Sequence, residues 1–200
     1  MFGQSSKYKV QLIQYQDQLP KIPPELIAQL LQEYEQHEVQ FINPERVLAD
    51  GEKNIPNIYY KRWAVPTALE QWIRQNISDR FDMLGFQIHD VAVRGGDHHL
   101  PHTDKYPRKW VLNYVIETGG DNAVTSFYQE KGHPVIREHL TRPGRREDLE
   151  LLESERIEPG RWVVLAGVVI HDVTGITGRR MSITMGIDAP TPEAFFSNVS

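Results

Sequence analysis

From Phe86 onward the chain is a succession of short β-branched and aromatic runs broken every few residues by Gly, Pro or charged turns. That texture forbids long helices and forces the second half into many short strands. The expected strands are residues 86–94, 109–117, 124–129, 133–138, 154–158, 161–166, 168–172 and 181–187. A first strand is expected earlier, over residues 9–15. Eight late strands with frequent turns favour a barrel or double sheet that closes on itself.

The first 85 residues read differently. Pro23-Pro24 opens a stretch in which Leu26, Ile27, Leu30, Leu31 and Tyr34 recur at helical spacing, predicting a helix over residues 25–38. Thr67-Ala-Leu-Glu70 has the form of a capping box and predicts a second helix to about Ile77, burying Leu69, Trp72 and Ile73. Residues 41–63 are rich in Asn, Pro and Gly and read as a folded loop. The expectation is an α+β chain: one domain over residues 1–200, with an N-terminal strand and helices (1–85) packed on one sheet of a jelly-roll core, a double-stranded β-helix (86–188).

Composition narrows the chemistry. The chain has 200 residues, 40% hydrophobic, enough for one core. Its net charge of −5 supplies no field toward nucleic acid or anionic lipid. With no cysteine, any metal must rest on His and carboxylate. No apolar run approaches ~20 residues and Met1 to Lys9 carries no apolar signal segment, so a cytoplasmic, non-membrane protein is expected.

His102-Thr-Asp104 carries two ligand-type side chains two residues apart. On an extended segment both point to one face and Thr103 to the other. His171 lies in an apolar setting of Val168, Val169, Ile170 and Val173. Two histidines and a carboxylate can occupy one face of divalent iron and leave the rest open. A histidine in apolar surroundings is also a common core residue bonded to a backbone carbonyl. His98 and His99 have ligand spacing with His102 only on a helix, which Gly95, Gly96 and Pro101 oppose; they read as loop residues at a pocket mouth. His37, His133 and His139 read as surface residues and His89 as a strand histidine. Farther on, alternation puts Arg180, Ser182 and Thr184 on one strand face and Arg179, Met181 and Ile183 on the other. A buried arginine needs an anion, whether a bound carboxylate or an internal Asp or Glu.

Arg94-Gly-Gly-Asp-His-His-Leu-Pro-His-Thr-Asp104, then Trp110-Val-Leu-Asn-Tyr-Val-Ile116, Gly119-Gly120-Asp121 and Phe127, resembles the prolyl-4-hydroxylase-like 2-oxoglutarate/Fe(II) oxygenases, over about residues 86–188. The resemblance implies a metal held by His102, Asp104 and His171, and Arg180 on the C5 carboxylate of 2-oxoglutarate, with Ser182 completing an Arg-x-Ser pattern. The spacing from His171 to Arg180 is about one residue short of that pattern, which leaves Arg179 as an alternative grip. The tyrosine that often precedes the His-x-Asp has no counterpart, and Tyr114 is the candidate replacement. Implied cofactors are Fe(II) and 2-oxoglutarate, with ascorbate in a supporting role. The implied partner is a small-molecule, protein or peptide substrate that becomes hydroxylated.

Two other readings compete. Base demethylases of this fold carry a second arginine on the last strand, where this chain has Gly186, and no broad basic surface exists beyond Lys105, Arg108 and Lys109. An inert jelly-roll binding module would keep the barrel without needing a complete ligand set. Residues 137–158, long and mixed in charge, read as an insertion: helix-bearing, a lid, or a solvated excursion.

Overall fold

The computed structural model of the chain describes residues 11–36, 46–47, 53–54, 60–63, 65–90, 99–104, 109–133, 146–187 and 189–196. The strands are β1 (Ile13–Tyr15), β2 (Arg46–Val47), β3 (Lys53–Asn54), β4 (Tyr60–Trp63), β5 (Phe81–Asp90), β6 (His99–His102), β7 (Trp110–Thr118), β8 (Val124–Glu130), β9 (Leu149–Glu155), β10 (Trp162–Leu165), β11 (Ile170–Thr174) and β12 (Arg179–Ile187). The helices are α1 (Pro24–Gln36), α2 (Thr67–Asn76) and α3 (Pro192–Phe196).

All strand pairings are antiparallel and form a six-stranded sheet, β1-β10-β7-β12-β5-β4, and a four-stranded sheet, β6-β11-β8-β9, with β2 and β3 as a separate pair. After β5 the chain crosses from sheet to sheet six times, staying in the small sheet only for the step from β8 to β9. That alternation is the winding of a jelly roll.

Two apolar layers follow from strand alternation. Val115, Val163 and Leu165 of the large sheet meet Phe127 of the small one, together with Ile13 and Val169, inside the sandwich. Met181, Ile183 and Met185 of β12 point the other way and join Leu112, Tyr114 and Trp162 under Leu30 of α1 and Leu69 and Ile73 of α2. Leu69 and Ile73 are fully buried, which the four-residue spacing on one helix face predicts. Carbonyls rather than side chains start both helices: Pro23 O accepts from Leu26 and Ile27, and Pro66 O accepts from Glu70.

Several expectations are corrected. The capping box does not form: Pro66 is the N-cap without a side-chain bond, Thr67 is already helical, and Glu70 pairs with Arg74 at 2.7 Å. The loop expected at 41–63 contains β4, which pairs with β5 through Trp63↔Phe86. The strand expected at 154–158 begins earlier, as β9, so the C-terminal half of the insertion is an edge strand bonded to β8. Of the strand expected at 133–138, residues 134–138 lie outside the described residues, as do 137–145 of the insertion. Among the described residues no helix is long and apolar enough to cross a membrane.

Candidate metal centre

Register puts the two histidines side by side. β6 and β11 are neighbours, and His102 stands directly opposite His171. Directly paired residues project from the same sheet face, and here the ring centroids are 4.4 Å apart. Asp104 has left β6, but its backbone N–H donates to Gly167 O at 2.8 Å, which ties the carboxylate to the turn before β11. Ligand atoms of His102, Asp104 and His171 all lie within 4.8 Å of one another. Ligands on ~2.1 Å bonds stand roughly 3 Å apart when adjacent on a metal, so small side-chain rotations suffice to bring these three into contact with one ion.

The His171 ring is held from two sides. Its Nδ1 is 2.8 Å from Val169 O; a carbonyl only accepts, so Nδ1 carries the proton and the Nε2 lone pair is left for a ligand bond. Phe127, fully buried, packs 5.5 Å away and keeps water off that side. The adjacent Asp172 points to the opposite face of the sheet, where the Tyr128 hydroxyl donates to it at 3.1 Å. Alternation thus separates a ligand from a neighbouring carboxylate that is not one.

Arg180, Ser182 and Thr184 are buried on the inner face of β12. Arg180 donates to Thr118 O at 3.0 Å. Among the described residues no carboxylate pairs with it, and burial pushes its guanidinium down to about 10. A cation so placed lacks the counter-anion that buried charges require. β11 and β12 flank the 175–178 turn in opposite sheets, with His171 four residues before Gly175 and Arg180 two residues after Gly178. Arg179 is engaged elsewhere: it grips Glu117 bidentately at 3.0 and 2.8 Å.

Tyr114 is corrected. Its ring lies 4.9 Å from Trp162 in the helix-side layer, and burial raises its hydroxyl pKa. Asn113 and Val115, the flanking positions, take the inner face, with Asn113 opposite Thr184 and Val163. His99 belongs to β6, not a loop, and pairs with Val173; His98 lies outside the described residues.

The sequence reading also missed two polar residues. Thr125 is the second residue of β8, opposite Val173, on the face that carries Phe127. Among the described residues its buried hydroxyl has no hydrogen-bond partner, and neither has the Oδ1 of Asn113. The signal was available for Thr125: it precedes Phe127 by two residues and so shares its face.

No family model matches the chain, and no curated protein matches it. Similar solved structures include E. coli ycfD (20% identity, TM-score 0.38, covering 65% of this chain and 32% of that one). Others are the non-haem α-ketoglutarate-dependent epimerase SnoN from nogalamycin biosynthesis (10%, TM-score 0.49, covering 82% of this chain and 73% of that one) and a Pseudomonas putida prolyl-4-hydroxylase (14%, TM-score 0.46, covering 90% and 95%). The chain thus spans about a third of the length of ycfD. At this identity and superposition the likenesses say nothing of activity.

Proposed function

We propose that the chain is a non-haem Fe(II)- and 2-oxoglutarate-dependent oxygenase that hydroxylates a small molecule or a protein side chain. The observation that carries this reading is the convergence of His102, Asp104 and His171 inside the sandwich. The donor set fits the metal, since two neutral imidazoles and one carboxylate leave half the coordination sphere free. The interior fits the oxo acid, since among the described residues Arg180 is a buried cation without an internal carboxylate and Thr125 is a buried hydroxyl without a partner.

His102, Asp104 and His171 would hold iron, and bound iron would supply the chemistry by which dioxygen gives one oxygen atom to 2-oxoglutarate, yielding succinate and carbon dioxide, and the other to the substrate. The protein's residues orient and shield. The Val169 carbonyl fixes the His171 tautomer, and Phe127 keeps that ring dry. Arg180 binds the far carboxylate, with Ser182 on the same face of β12 and Thr125 on the inner face of β8 as the hydroxyls offered to the oxo acid. A charge-assisted contact in a desolvated interior both holds the ligand and sets its direction.

The test is succinate formation from 2-oxoglutarate with iron and oxygen, across a panel of amino acids, peptides and small molecules. Stimulation by one substrate and loss in Asp104→Ala support the reading. A chain that binds metal yet never turns over 2-oxoglutarate is the inert barrel instead.

A further inference from the structure

Arg180 is aimed by backbone, and the backbone that aims it comes from another turn. We propose that the β7–β8 turn at Gly119-Gly120 is a positioning element for Arg180, and through it sets the preference for dicarboxylic over monocarboxylic 2-oxo acids. This rests on the functional reading above in one respect, that Arg180 meets the distal carboxylate of the co-substrate.

Four contacts converge on this turn. Thr118 O accepts from the Arg180 guanidinium at 3.0 Å. Gly119 O accepts from both Thr177 N at 2.7 Å and Gly178 N at 2.9 Å, fixing the chain just before Arg180. The Thr118 hydroxyl donates to Gly120 O at 3.2 Å, bracing the turn that presents the carbonyl. One tight turn therefore holds both the side chain and the backbone approach of the same arginine.

The glycines are required for space as well as conformation. Gly119 and Gly120 have φ of 89° and 113°, where L side chains are strained. A Cβ on Gly119 would stand 3.0 Å from Arg180 Cβ and 2.8 Å from Ile176 Cγ2. Either the turn or Arg180 must then move. A Cβ on Gly120 would clash with the hydroxyl of Thr177, an exposed side chain that can swing aside, while the Thr177 Cβ and backbone N lie at ordinary contact distances of 3.4 and 3.5 Å. Gly132, in the turn after β8, has φ of 77° but open space around its Cβ. It reproduces the backbone strain without the contact.

The experiment compares dissociation constants of 2-oxoglutarate and 2-oxobutyrate for the metal-loaded chain, without oxygen, in wild type, Gly119→Ala, Gly120→Ala and Gly132→Ala. General destabilisation weakens both acids alike, whereas a misaimed Arg180 weakens only the dicarboxylate. We expect the preference to fall by about tenfold or more in Gly119→Ala, equivalent to about 1.4 kcal/mol, by less in Gly120→Ala and not at all in Gly132→Ala, with metal affinity unchanged. A Gly119→Ala chain that folds and keeps the wild-type preference overturns the proposal. If Gly119→Ala does not fold, an unchanged preference in Gly120→Ala overturns it. A wild type with no dicarboxylate preference removes the functional reading beneath it, a result distinct from either.

Discussion

Replacing Arg180 with methionine keeps an unbranched apolar stem and removes the charged head, and the structure gives the size and sign of the effect. Burial lowers the guanidinium from the ordinary arginine range to about 10, which corresponds to about 3 kcal/mol against folding. Because a base with a lowered folded-state pKa folds at a cost while charged, the penalty is fully present below pH 10. It is relieved only as pH rises from there toward the ordinary arginine range. Against it stands the bond to Thr118 O, worth about 1.5–3 kcal/mol for a charged donor. Arg180→Met should therefore leave the ligand-free chain unchanged or up to about 2 kcal/mol more stable, a rise of at most ~8 °C at roughly 2–4 °C per kcal/mol. An arginine paired with an internal carboxylate behaves oppositely, since breaking such a pair costs about 3–5 kcal/mol. Urea and thermal unfolding of both chains decide. With metal present, 2-oxoglutarate at 100 times its Kd should add about 2.7 kcal/mol to the wild type and far less to the variant. A variant destabilised by 3 kcal/mol or more refutes the reasoning.

Three further outcomes are expected. Thr125→Val should keep or slightly raise ligand-free stability, because it removes a buried hydroxyl that has no partner among the described residues, and should raise the apparent 2-oxoglutarate KM; an unchanged KM places that hydroxyl outside the co-substrate site. Tyr114→Phe should leave metal and oxo-acid affinity at wild-type values, since the ring packs on Trp162 in the helix-side layer; a large loss of oxo-acid binding contradicts that placement. Leu69→Ala should cost about 2–5 kcal/mol in denaturant unfolding, as Leu69 is wholly buried between α2 and the large sheet, while metal stoichiometry in the folded fraction stays at one.

What the sequence disclosed depended on whether local spacing carries the information. His102 and Asp104 were legible because two residues of extended chain put them on one side, but their meeting with His171 depends on the β6–β11 register, which no local pattern encodes. The faces of β12 were legible because Met181, Ile183 and Met185 alternate with Arg180, Ser182 and Thr184. β7 offers no such contrast: Val111 and Val115 are apolar and buried on one face, Leu112 and Tyr114 on the other, so the phase of Tyr114 was unreadable. β9 hid for the opposite reason. An edge strand with Leu151 57% exposed and three glutamates need not show the alternation of a half-buried strand.

The most direct test of the central claim is calorimetric titration of 2-oxoglutarate, without oxygen, into the chain with and without a divalent metal, and into Asp104→Ala. The account predicts one equivalent bound only when metal is present, and strongly weakened binding in Asp104→Ala because the metal is lost. Binding that is equally tight without metal, or that survives Asp104→Ala at wild-type affinity, would contradict the assignment of His102, Asp104 and His171 as the centre of the site.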